Sequence, residues 1–253
     1  MTLPAPRFYC QIPLAAGEEI ALPEAAARHA VRALRLQTGE AITLFNGEGG
    51  EYPGTIASIE KDAVRVTLAA HSHAERESGL DVTLVQALAA SDKMDWIVQK
   101  AVELGVTRVQ PMLARHCVLR LEGERAERRV AHWQAVAIAA CEQSGRNRVP
   151  RVLPLCSLVE AIALSRAALK IVLSPDEGVA LNSIETAQRP VAFCVGPEGG
   201  FSAEEQDTMR RAQCRFVNLG PRVLRTETAG VAALAAMQTL WGDWRIQPFV
   251  PGL

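Results

Sequence analysis

Aromatic residues make up only 5% of this 253-residue chain, and it nowhere runs to the roughly 18 consecutive apolar residues that a membrane-crossing helix needs. A spanning helix is therefore excluded. The N-terminal stretch Met1 to Cys10 contains no apolar segment of signal-peptide length, so a cytosolic protein is expected. The six cysteines, Cys10, Cys117, Cys141, Cys156, Cys194 and Cys214, form no C-x-x-C pair, and none has a histidine at zinc-ligand spacing. They are expected to be small buried hydrophobes in a reducing compartment, with no metal site. G-x-G-x-x-G is absent, as is the Gly-Lys-Ser/Thr ending of a phosphate loop, which disfavours dinucleotides, triphosphates and nicotinamide chemistry. No charge excess exists either. The formal net charge of −1 argues against a generic polyanion binder.

What the chain does have is two glycine-proline loops, each placed directly after a short apolar run. The first is Val195-Gly196-Pro197-Glu198-Gly199-Gly200, after the run Val191 to Val195. The second is Leu219-Gly220-Pro221-Arg222-Val223-Leu224-Arg225-Thr226-Glu227, after Cys214 to Leu219. Both runs have strand length, and each loop leads into a helical pattern. Ser202 and Glu205 have capping-box spacing for the first helix, while Thr226 or Thr228 is the candidate cap of the second, which continues to Trp241. Two loops at strand ends outline one ligand crevice. Glycine lets backbone groups approach a flat heterocycle, and Glu198 or Glu227 can attract a cation. S-adenosylmethionine suits that chemistry, having adenosine, a sulfonium and no phosphate; plain turns are the competing explanation.

At 49% apolar and 22% charged, the composition is that of an ordinary globular protein, with room for two domains. Residues 1–72 read as β-rich with one helix. Pro23 opens a helical pattern (Ala26, Ala30, Val31, Leu34) ending before Gly39, and strands follow at Ala41 to Phe45, Thr55 to Ile59 and Ala63 to Leu68, with Asn46-Gly47 as a turn. A small barrel is expected. The polar stretch His71 to Gly79 marks the boundary to residues 73–253. There the pattern alternates: strands at Val82 to Ala87, Arg108 to Leu113 and Lys170 to Leu173, and helices at Lys93 to Leu104 with Gly105 beyond, Ala126 to Cys141 and Leu158 to Ala168. This is the signature of a parallel α/β sheet. The last helix is apolar nearly all round, so it requires cover on several sides, from its own domain or from a partner.

Arginine far outnumbers lysine and is grouped. Arg28, Arg32 and Arg35 have the i, i+4, i+7 spacing of one helix face, in a segment, Ala25 to Gly39, that contains no acid. A second group runs from Arg108 through Arg115, Arg120, Arg125, Arg128 and Arg129 to Arg146, Arg148 and Arg151, interspersed with glutamates. Arginine's planar fork suits phosphate, although a solvated face with local ion pairs explains either group equally well.

Four motifs in order carry a specific resemblance over nearly the whole chain: Met94-Asp95-Trp96 through Leu104-Gly105, Glu142-Gln143-Ser144-Gly145-Arg146, the first glycine-proline loop with Phe201-Ser202, and the second with Thr228-Ala229. Together they resemble the bacterial 16S ribosomal RNA (uracil-N3)-methyltransferase family of the SPOUT superfamily. Arg7-Phe8-Tyr9, Leu34-Arg35-Leu36 and Phe45-Asn46-Gly47 are similar to that family's PUA-like RNA-binding domain. The resemblance implies a PUA-like β-barrel over 1–72, an α/β SPOUT domain over 73–253 with a C-terminal trefoil knot, a homodimer, and S-adenosyl-L-methionine as cofactor. It implies methylation at N3 of one uridine, uridine 1498 in conventional bacterial numbering, of 16S ribosomal RNA in the small ribosomal subunit. Carried onto this chain, the cofactor positions are Leu173, Val195, Gly196, Pro197, Glu198, Gly199, Leu219, Gly220, Leu224, Arg225 and Thr228.

For the chemistry, Arg225 or Arg146 is the candidate partner of a uracil carbonyl, and Glu142 or Glu227 the candidate base for the N3 proton. Arg7, Arg28, Arg32 and Arg35 are the candidate phosphate contacts, with Phe8 and Tyr9 nearest for stacking but suited to the barrel core. Rival expectations are a SPOUT enzyme acting on a ribose 2′-hydroxyl or another base, and a non-catalytic RNA-binding assembly protein.

Overall fold

A computed structural model describes residues 5–61, 63–185 and 190–244; residues 1–4 of the N-terminal stretch lie outside it. The chain divides into two units, one of Met1–Glu77 with Cys141–Val149, the other of Ser78–Ala140 with Pro150–Leu253.

The first unit is built on a five-stranded sheet. Its strands are β1 (Arg7–Tyr9), β2 (Glu19–Ala21), β3 (Ala41–Phe45), β4 (Tyr52–Glu60) and β5 (Ala63–Leu68), in spatial order β1-β3-β4-β5-β2. All pairings are antiparallel except β1 with β3. Strand β5 alternates exposed and buried residues, so Val64, Val66 and Leu68 join Phe8, Ile42, Leu44 and Ile56 in one core. Phe8 is core, as expected, and Tyr9 packs on Phe45 with ring centroids 5.6 Å apart.

The basic helix departs from the expected geometry. Helix α1 (Glu24–Arg28) passes into a π-helical turn, His29–Ala33, where the Leu34 N–H donates to the His29 carbonyl at 3.1 Å. The wider turn rotates later residues off the 100° spacing, and Arg35 then takes a left-handed φ of +56°. The reversal returns Leu36 to the core and leaves Leu34 exposed. Arg28, Arg32 and Arg35 are all exposed, but they do not form one helix face. Arg28 pairs with Glu24, the acid just outside the acid-free segment, at 3.5 Å.

The Cys141–Val149 segment joins this unit through polar contacts. Arg7 is drawn inward: it pairs with Glu51, donates to Asn147 Oδ1 at 2.6 Å and lies over the Phe45 ring. Arg76 bonds Glu51 and the Gly145 carbonyl, and Arg146 pairs with Glu77. Burial opposes ionisation of Glu51, but hydrogen bonds from Arg7 and Arg76 hold its carboxyl below the usual range. Glu142 behaves oppositely. It accepts the Tyr9 N–H at 2.9 Å, yet burial outweighs that bond and pushes its carboxyl up.

The second unit is a parallel sheet. Its strands are β6 (Val82–Ala87), β7 (Arg108–Leu113), β8 (Arg151–Val152), β9 (Cys156–Ser157), β10 (Leu169–Leu173), β11 (Val179–Ala180), β12 (Val191–Val195) and β13 (Arg215–Asn218). They lie in the order β11-β13-β10-β12-β6-β7-β8, with β9 also on β7, and every described pairing is parallel. Strand β12 is buried along its whole length, which is why it reads as an unbroken apolar run. The helices are α2 (Ser91–Glu103), α3 (Gly123–Ser144, whose last turn belongs to the first unit), α4 (Leu158–Leu164), α5 (Ala203–Arg211) and α6 (Thr226–Trp241). Both halves of the Ser202–Glu205 capping box are present at α5, and Gly105 follows α2 with φ +84°. The cysteines are free, and burial pushes the Cys194 thiol up to about 12. No helix among the described residues is long and apolar enough to cross a membrane.

The raised carboxyl of Glu142 has a definite sign in stability. A group that binds its proton more tightly in the folded state stabilises the fold at low pH and loses that contribution as pH rises through the folded value. Glu142→Gln keeps an acceptor for Tyr9 without the buried charge. Its urea midpoint is expected to match the wild type in acid and to exceed it increasingly toward neutrality; a variant less stable at neutral pH would contradict this.

Candidate functional site

In a parallel sheet all strands end on the same edge, and β13, β10 and β12 are neighbours there. The segments leaving them converge. Leu173 at the end of β10 with Ser174 to Asp176 after it, Gly196 to Phe201 after β12 and Leu219 to Arg225 after β13 surround a cavity of about 640 Å³, a volume typical of small-molecule sites.

Local chemistry fixes each wall. Asn218 ties two of them, accepting the Gly220 N–H at 2.7 Å and donating to the Pro175 carbonyl at 2.7 Å. Gly220 takes φ +112°, a conformation that side chains disfavour. Gly199 is close-packed instead, since a Cβ there would meet the His116 Cβ at 2.9 Å. His116 Nδ1 lies 3.1 Å from the Gly199 carbonyl and 3.2 Å from that of Gly200; with two carbonyl partners it is the donor.

Thr226 joins the two glycine-proline loops. The expected cap of α6 was Thr226 or Thr228, but the N-cap is Arg225, with no side-chain cap bond. Thr226 is the first helical residue, and its hydroxyl donates to the Gly196 carbonyl at 2.6 Å while accepting from Gln86 Nε2 at 3.0 Å. Burial explains the choice: a hydroxyl inside the sheet edge must satisfy its partners there, whereas Thr228 is exposed.

Ten of the eleven expected cofactor positions line the cavity: Leu173, Val195, Gly196, Pro197, Glu198, Gly199, Leu219, Gly220, Leu224 and Arg225. Thr228 does not, and Thr226 does. Arg225, one of the four residues singled out for chemistry, is also a cavity residue. Glu227 is turned to Lys93 at 3.3 Å and is not a cavity wall. Glu142 and Arg146 lie in the first unit, engaged by Tyr9 and Glu77, and neither lines the cavity.

Lys93 was not anticipated. Its ammonium lies 3.0 Å from Glu198 and 3.3 Å from Glu227, and both it and Glu198 line the cavity. The hydrogen bond it donates to Glu198 is the main reason its own proton is held more tightly than in free lysine. Burial works against ionisation of Glu198, but its own backbone N–H and the Lys93 ammonium prevail and hold the carboxyl below the usual range. One signal in the sequence marks this lysine. It stands in the first turn of α2, where the helix dipole disfavours a cation, so local helix energetics do not account for it.

Comparison with known proteins also separates an N-terminal from a C-terminal part, with the Cys141–Val149 segment of the first unit inside the C-terminal match. Residues 76–238 match the model of the RNA methyltransferase domain family, and residues 22–69 that of the RNA methyltransferase PUA domain. Ribosomal RNA small subunit methyltransferase E of Bacillus subtilis is 30% identical over 230 residues, 87% of either chain. That of Buchnera aphidicola subsp. Schizaphis graminum is 29% identical, spanning 94% of this chain and 97% of that protein. The crystal structure of ribosomal RNA small subunit methyltransferase E from Neisseria gonorrhoeae, bound to S-adenosyl methionine, superposes with a TM-score of 0.90 at 40% identity, covering 95% of this chain and 100% of that one. A Legionella pneumophila protein solved in complex with the bound cofactor gives 0.93 at 33% identity, with the same coverage. With its SPOUT-type parallel sheet and PUA-like unit, the chain belongs to the RNA methyltransferase family and, within it, to the ribosomal RNA small subunit methyltransferase E family.

Proposed function

We propose that the protein is an S-adenosylmethionine-dependent methyltransferase that modifies N3 of one uridine of 16S ribosomal RNA in the small ribosomal subunit. The observation that carries this is a cavity walled by both glycine-proline loops with Arg225 among its residues. The residues present fit the cofactor. Gly196, Gly199 and Gly220 line the cavity without side chains, and their backbone groups not engaged by Thr226, His116 and Asn218 are left for a flat heterocycle; Leu173, Leu219 and Leu224 supply apolar wall, and Glu198 offers an ionised carboxylate to a cationic ligand. When bound, S-adenosylmethionine supplies an electrophilic methyl group on a positively charged sulfur.

The protein's part is positioning and charge. A base in folded RNA must be exposed before its Watson–Crick edge can be reached. Uracil N3 carries a proton in the neutral base, so negative charge spreads onto the flanking carbonyls as that proton leaves. Arg225, a residue of the cavity, is assigned to pair with one of them, a contribution of order 10²–10³ in rate for a well-aimed donor. Holding the base in line with the methyl group supplies much of the remainder.

The PUA-like unit, which we assign to residues 1–72, supplies phosphate contacts from Arg28, Arg32 and Arg35, with Arg7 supporting that unit from within through Glu51 and Asn147. The methyltransferase domain over 73–253 is assigned a C-terminal trefoil knot. In support, Thr226, near the end of the second loop, donates to the Gly196 carbonyl of the first. A homodimer is supported by α6, which buries Ala233, Leu234 and Met237 and leaves Val231, Ala235 and Trp241 only half-covered. Action on ribosomal RNA implies a cytoplasmic protein.

The direct test is methylation of small-subunit particles or ribosomal RNA from a deletion strain, with the product nucleoside identified and mapped. N3-methyluridine at a single position is expected; a 2′-O-methylated product or another base would overturn the assignment. Arg225→Ala is expected to keep cofactor binding by calorimetry and to lose about 10²-fold or more in kcat; full turnover would remove Arg225 from the chemistry. Charge reversal at Arg32 and Arg35 is expected to raise KM for RNA and flatten its dependence on salt, since each lost phosphate contact reduces counterion release. An unchanged slope would take these arginines off the RNA surface.

A further inference from the structure

The cavity has two chemically different sides. Toward β10 and β13 it is walled by Leu173, Leu219 and Leu224; toward β12 and β6 it is closed by Lys93 and Glu198, opposite charges 3.0 Å apart. The strand order sets these sides apart, because β13 and β6 are separated by three strand spacings, about 14 Å. Behind Lys93 stands Glu227, whose Oε2 is sealed from solvent without a hydrogen bond and has the ammonium at 3.3 Å. One cation is thus shared between a carboxylate in the cavity wall and one outside it.

As a device for holding the fold this is a poor arrangement. The Lys93 and Glu198 side chains are 25% and 37% exposed, a setting in which ion pairs contribute little. The cation also opposes the dipole of its own helix. As a binding element it is well matched to one kind of group. An α-amino acid terminus carries an ammonium and a carboxylate on one carbon, and an ion pair of the same small separation can meet both at once with charge-assisted hydrogen bonds. The other charged residues of the cavity, Asp176, Arg222 and Arg225, lie exposed on the segments after β10 and β13.

We infer that Lys93 and Glu198 form the subsite for the amino-acid end of the methyl donor, Lys93 taking the α-carboxylate and Glu198 the α-ammonium. Glu227 is the positioning residue that keeps Lys93 in place. This rests on the cofactor assignment above, and it orients the cofactor: amino-acid end toward α2, adenosine toward β10 and β13.

The test compares two neutral-sulfur ligands by isothermal titration on the full chain. S-adenosylhomocysteine carries the amino-acid end, and 5′-methylthioadenosine has the same adenosine and thioether without it. The wild type is expected to bind the first about tenfold or more tightly than the second. Lys93→Met and Glu198→Gln should each weaken S-adenosylhomocysteine by about tenfold while leaving methylthioadenosine within about twofold, which also shows that the variants are folded. Equal weakening of both ligands, or of neither, would overturn the subsite. So would a wild type that binds both ligands equally. Failure to bind either ligand would instead remove the cofactor assignment on which the subsite rests.

Discussion

The hydroxyl of Thr226 is the joint on which the site depends. It is buried, donates to the Gly196 carbonyl and accepts from Gln86, so one oxygen connects the end of β6, the loop after β12 and the first turn of α6. Loops at a sheet edge have no ladder to fix them. Their backbone groups must find partners in side chains or in ligand, and those spent on side chains set where the rest can point. Thr226 and Asn218 take that role for the two glycine-proline loops, leaving the remaining backbone groups to the cavity. A recognition surface made of main chain needs little from side-chain chemistry at its rim, which is why glycine and proline dominate it.

Charge is distributed by a similar economy of shared partners. Lys93 serves two carboxylates in the methyltransferase unit, and Glu51 serves two guanidinium groups in the other. The consequences differ with setting. Arg7 and Glu51 are nearly buried, at 12% and 14% exposure, and pair with each other while Arg7 also donates to Asn147, so they tie the returning segment Cys141–Val149 to the sheet. Lys93 and Glu198 keep substantial access to a cavity, so their charge remains available to a ligand. The same residue types make a fastening in one place and a binding element in the other, and solvent access decides which.

Much of the fold could be read from the chain because local rules and tertiary structure agree there. Strands β3, β5, β6, β7 and β12 have their expected bounds, since short runs that are mostly buried, or that alternate as β5 does, leave little choice. The capping box at Ser202 and Glu205 works through residues three apart, so it too was visible. What escaped depended on residues brought together from far apart. Thr226 and Thr228 are equivalent as sequence; only the position of Gly196, thirty residues earlier, selects the first. The joining of Cys141–Val149 to the N-terminal unit turns on contacts from Arg7 and Arg76 to a loop in the middle of the chain. Arg35 failed for a local reason: one π-helical turn defeats an i, i+7 argument built on 100° per residue.

Lys93 shows how a functional residue can be recognised from disagreement with local rules. Helix α2 begins Ser91-Asp92-Lys93, and the acid at Asp92 accords with the dipole while the lysine does not. A local conflict of this kind is resolved in one of two ways, by a partner elsewhere in the fold or by a ligand. Here the partner is present, and it is not sufficient by itself. Glu227 alone would neutralise Lys93 from the side away from the cavity, yet the ammonium also reaches Glu198 in the cavity wall, giving two carboxylates to one cation. That excess of negative charge beside a cavity favours a ligand with a cationic group, while the ammonium within it holds a place for an anionic one. The methyl donor carries both. The misplaced lysine and the glycine-proline loops therefore describe the same ligand from opposite ends, one through fixed charges and the other through exposed backbone.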